Sequence, residues 1–132
     1  MATIAITSAN VVAATGSKIL TGISGTSIVA GDLVYLLAST YFLADADSES
    51  SAEVAGIALN GASSDQPFDF IKSGTLTVGS VAITGLVYYL SNTAGQFDDA
   101  ITLQGDRVTT LGIGLTSTTI SINIHVSGAL KP

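Results

Sequence analysis

The chain has 132 residues, no cysteine and a formal net charge of -6, with four Lys or Arg against ten Asp or Glu. That length supplies one ordinary domain with a core of its own. The missing thiols exclude disulfides, thiolate metal sites and cysteine nucleophiles, and four cations spread along the sequence argue against binding nucleic acid or an anionic membrane.

The first sixteen residues are apolar and small, with little punctuation, and read as an extended arm or a first strand. Gly16, Gly22 and Gly25 then mark turns around short Ile-containing segments. Ser27-Ile28-Val29 leads through Ala30-Gly31-Asp32 into the strand Leu33-Val34-Tyr35-Leu36-Leu37, followed by a strand at Tyr41-Phe42-Leu43. An acidic loop, Asp45 to Glu49, precedes a strand over 52–59, and Asn60-Gly61 reads as a turn. Alternation in Phe68-Asp69-Phe70 places both rings on one face. Ser73-Gly74 predicts a hairpin turn into Thr75-Leu76-Thr77-Val78.

The first strand then returns. Leu86-Val87-Tyr88-Tyr89-Leu90 repeats Leu33-Val34-Tyr35-Leu36-Leu37 at a spacing of 53, and Gly112-Ile113-Gly114-Leu115 repeats Gly56-Ile57-Ala58-Leu59. Repetition on this scale predicts two related β units around one core, spanning about 28–61 and 81–116 inside a single domain from 17 to 132. A short segment at Gln96-Phe97, an acidic loop with Asp98 and Asp99, and a strand over 108–115 follow. In the closing strand, Ile120, Ile122, Ile124 and Val126 alternate with Thr119, Ser121, Asn123 and His125. Helical periodicity is absent throughout, so the fold class is all-β, a small barrel-like domain.

Candidate chemistry is sparse. His125 is the sole histidine and sits on the polar side of its strand, a surface or interface position. Asp45, Asp47 and Glu49 alternate as in a calcium loop, but Ser50 and Gly56 stand where Gly and a bidentate Glu are required. Gly112-Ile113-Gly114 lacks the third glycine and the helix of a phosphate cradle. Tyr35, Tyr41, Tyr88 and Tyr89 suit packing better than a sugar-stacking platform, because they lie in apolar runs. No catalytic, cofactor or metal residue is assigned, and an enzyme is not expected. Only 11% of residues are charged while 47% are hydrophobic, well below the roughly 25% charge usual in soluble domains. Part of the surface is therefore expected to lie against other subunits. No apolar run is long enough for a spanning helix, and no basic residue precedes Lys18 as a secretory signal requires. The expected site of synthesis is a cytoplasm.

Several segments together resemble a known family. They are residues 29–36 (Val-Ala-Gly-Asp-Leu-Val-Tyr-Leu), 43–47 (Leu-Ala-Asp-Ala-Asp), 54–62, 87–95 (Val-Tyr-Tyr-Leu-Ser-Asn-Thr-Ala-Gly), 108–115 and the ending Ser127-Gly128-Ala129-Leu130. From about Gly16 onward the chain is similar to the small capsid cement, or head decoration, proteins of tailed bacteriophages. The resemblance implies a β-barrel-like or tulip-like module on the outside of an icosahedral capsid, often a homotrimer, bridging major capsid protein subunits in the virion. The residue 1–16 arm would contact the capsid, with Asp45 to Glu49 and Asp98-Asp99 turned to solvent. Related modules occur in phage fibres, so a receptor- or carbohydrate-binding module is the competing expectation.

Overall fold

The computed structural model describes residues 6–48, 50–91, 93–98 and 107–130, with Ser8 and 128–130 as backbone only. Its β-branched and aromatic runs form β1 (Val12–Ala13), β2 (Lys18–Ile23), β3 (Leu33–Leu37), β4 (Thr40–Leu43) and β5 (Val54–Ala58). The second part of the chain adds β6 (Pro67–Thr77), β7 (Val87–Leu90), β8 (Phe97–Asp98), β9 (Arg107–Gly114) and β10 (Thr119–Leu130). A 3-10 turn at Ser8–Asn10 is the one helical element among the described residues. The strands form a single antiparallel sheet, ordered β4-β3-β5-β6-β10-β9-β7-β8, with β1 and β2 paired to β6. It curls into a half-barrel.

β6 is the hub of this arrangement. Ser73-Gly74 does not turn the chain, and β6 continues through it for 11 residues. Gly74 has φ +129, and Ser17 occupies the place where its Cβ would project. The glycine therefore permits a close crossing by the connection between β1 and β2, where the sequence reads as a reversal.

The strand order is palindromic. Each Leu-Val-Tyr strand lies between its hairpin partner and a Gly-Ile strand, with β3 between β4 and β5 and β7 between β8 and β9. The hydrogen bonds match in detail. Gly31 N donates to Ala58 O and Ala58 N to Asp32 O, both at 2.8 Å; Gly85 N donates to Gly114 O at 2.8 Å and Gly114 N to Leu86 O at 2.9 Å. Both ladders slip immediately after a glycine, Val34 facing Gly56 and Tyr88 facing Gly112. The ladder thus equates Val34 with Tyr88, one residue out of step with the sequence match of Val34 to Val87.

Equivalent ladder positions of the two units face opposite ways. Leu33 and Ile57 lie in the main core, which also takes Tyr88 and Leu111 from the second unit and Ile120 from β10. Their ladder equivalents Val87 and Ile113 instead line an outer groove, and Ile113 is 48% exposed where Ile57 is fully buried. The opposite face of the first unit holds a second cluster of Ile28, Val34, Ala58, Phe68 and Phe70. Around it the run β2-β6-β5-β3-β4 nearly closes, its ends joined by a parallel bridge from Ser24 to Tyr41. In the closing strand, Ile120 and Ile122 are buried, Ile124 is half-buried and Val126 is exposed, because register shifts beyond Ile122.

The amino-terminal segment is part of the fold over its described residues. Val12 and Ala13 pair with Thr77 and Leu76 of β6, and Ala14 N donates to Thr75 O at 2.9 Å. Val11 is 8% exposed and Ile6 packs on the main core. Residues 6–16 are therefore not a free arm; residues 1–5 lie outside the described residues.

Two stability predictions follow from these contacts. Deleting residues 2–13 removes Val11 and β1, and should lower unfolding free energy by about 2–4 kcal/mol in urea denaturation; an unchanged midpoint would show the segment is dispensable. A Cβ at Gly112 would overlap the Ser121 carbonyl oxygen, whereas Gly85 has open space around it and φ +83. Gly85→Ala should cost about 1 kcal/mol of backbone strain, and Gly112→Ala about 3 kcal/mol or more. Equal losses would contradict this packing.

Candidate functional site

Most of the sequence candidates prove to be structural. Asp45 is half-buried and its Oδ1 accepts the Asp47 amide at 3.2 Å, while the Ser51 hydroxyl donates to Asp45 O at 2.8 Å. The loop is thus held by its own turn hydrogen bonds. Asp47 is exposed and Glu49 lies outside the described residues. Among the described residues no cluster of three or more His, Asp or Glu could hold a metal ion.

Asp98 departs from expectation. It is 7% exposed, opposite Tyr89 in the β7–β8 ladder, rather than turned to solvent. β8 belongs to the sheet because Phe97 is fully buried against Tyr88, with ring centroids 6.4 Å apart. Asp99 lies outside the described residues. Gly112 lies within β9 and Gly114 ends it.

The tyrosines do not gather into one platform. Tyr88 is fully buried and its hydroxyl accepts the Ile83 amide at 3.0 Å. Tyr41 packs on Phe70 and Phe68 at 5.0 and 5.6 Å, and Tyr35 neighbours Phe42 at 6.3 Å. Tyr89 is half-buried in β7.

Two grooves mark the outer surface instead. The first, of about 410 Å³, runs over β7, β9 and β10 and includes Val87, Ile113, Leu115 and the exposed His125. The second, of about 480 Å³, is lined by Leu20, Leu36, Tyr41 and Phe70 together with Lys18 and Lys72. Asn123 borders both. Both volumes fall in the range typical of binding clefts, roughly 300–1,000 Å³. Sequence reasoning missed the lysine pair, since the two residues meet only because Lys18 registers with Ser73 across the β2–β6 ladder. No local pattern signals that meeting.

A third, smaller hollow of about 80 Å³ lies beside Gly31 and Asp32. Burial pushes the Asp32 carboxyl above its ordinary value of 3.8, and the hydrogen bond from the Val29 amide at 3.0 Å opposes that shift.

No protein-family model matches the chain, and no curated protein matches it. No helix of the described residues is long and apolar enough to cross a membrane.

The raised Asp32 value sets a pH dependence. In the window between 3.8 and the raised value, the folded state binds more protons than the unfolded state, so stability falls as pH rises. Wild type should lose stability relative to Asp32→Asn across that window and run parallel to it above. Urea midpoints that stay parallel from pH 3 upward would contradict the assignment.

Proposed function

We propose that this protein decorates the outside of a tailed-phage capsid and stabilises the shell by bridging major capsid protein subunits. The observation that carries the reading is the apolar outer surface. Among the described residues eleven large hydrophobic side chains are exposed, including Leu36, Leu37, Ile113, Leu115 and Val126. On a chain with only 11% charged residues, such a surface favours cover by other protein. The resemblance of residues 29–36, 54–62 and 87–95 to cement proteins supplies the kind of partner.

The mechanism is thermodynamic linkage. A module that binds only the assembled shell stabilises that shell by its binding free energy, and no chemistry is required. A continuous antiparallel sheet with two packed clusters suits the role. Self-association, as a homotrimer, would cover part of the same apolar surface. The place of action is the virion exterior, after synthesis in the host cytoplasm.

Heads lacking the protein should bind it saturably, in hundreds of copies per particle, and should then rupture at a higher temperature. Absence of binding, or binding without any shift in rupture temperature, would contradict the proposal. A copy number of only a handful would favour a fibre-borne receptor module instead.

A further inference from the structure

β6 receives two strands on one edge. At Ser73 the partners on either side are Lys18 and Asn123, and at Ile71 they are Ile19 and Ile57. β2 thus holds one edge, and β10 and β5 share the other, changing over between Ser73 and Ile71. Beyond the changeover they diverge. β10 continues with β9 alone from His125 onward, and β5 pairs with β3 alone at Val54. The facing edges, residues 54–55 and 124–126, have no ladder partner on that side among the described residues. Unpaired edges of this kind are templates for an added strand.

The opening between them is the 480 Å³ groove, which both edges line along with Leu20, Leu36 and Tyr41. Its charge is unlike that of the rest of the molecule. The chain has ten acidic residues and four Lys or Arg, yet Lys18 and Lys72 both line this groove and, among the described residues, no acidic residue does. Both lysines are exposed, so their ammonium groups are available to a ligand. Main-chain donors, apolar walls and a pair of cations together match one kind of occupant.

We propose that this groove receives an extended segment of the major capsid protein in which aliphatic and acidic residues alternate. Its backbone pairs with residues 124–126, the Val54 amide opposite being already bonded to Ala52 O at 3.0 Å; its aliphatic side chains lie on Leu20, Leu36 and Tyr41, and its carboxylates meet Lys18 and Lys72. Alternation is required because successive side chains of a strand point to opposite sides. The assignment rests on the decoration reading and adds to it the face that meets the shell.

The test compares binding to heads lacking the protein for wild type, Lys18→Gln/Lys72→Gln and Ser64→Asp/Thr84→Asp. The two variants have the same net charge, and all four positions are exposed. Loss of two charge-assisted contacts should weaken the lysine variant by about tenfold or more, with an unchanged melting temperature. The Ser64/Thr84 variant should stay within about twofold of wild type, since neither residue lines the groove and screened surface charges contribute little. Leu36→Asn, at a position 54% exposed, should also weaken binding and leave melting intact. Wild-type binding matched by the lysine variant would overturn this groove assignment and leave the decoration reading standing. Failure of wild type to bind would remove both.

Discussion

Everything in this molecule is organised by one strand with four partners. β6 pairs with β1 and β2 along one edge and with β5 and β10 along the other. Its Phe68 and Phe70 anchor the smaller cluster, and its Ile71 and Leu76 enter the main core. Antiparallel pairing leaves a strand only two edges, so four partners must divide its length. That division forces β5 and β10 apart and creates the groove between them. A hub and an unfilled edge are thus two consequences of the same constraint.

The doubled unit meets that hub in two different ways. Matching hydrogen bonds at Gly31 and Gly85, and matching slips at Gly56 and Gly112, make the ladders equivalent. The two units nevertheless turn opposite faces of that ladder to the core, the second burying Tyr88 where the first gives Val34 to its own small cluster. Ile113 and Leu115 are left outside as a result. Duplication with opposite faces turned inward explains how a repeated apolar sequence builds a core and also an apolar exterior.

Much of the fold was legible in the residues. Alternation in Phe68-Asp69-Phe70 and the runs at Leu33 and Leu86 located strands, because burial on one face imposes a period of two. What stayed hidden was non-local or backbone-borne. Ser-Gly composition serves a turn and a close crossing equally, so Ser73-Gly74 reads as a turn although β6 runs through it. A bulge adds no distinctive side chain, so the slip at Gly56 and Gly112 gave no signal. Asp98 beside Asp99 read as a solvated loop, although its neighbour Phe97 draws it into the sheet. Lys18 and Lys72 read as scattered charge, and only the β2–β6 register brings them together.

The central claim is that the apolar, lysine-bearing outer surface exists to be covered by a shell. The most direct measurement is a three-dimensional reconstruction of heads carrying the protein. The account predicts ordered density on the outer shell with the groove between β5 and β10 facing the major capsid protein and filled by it. Heads without such density, or a bound module whose groove opens to solvent, would contradict it.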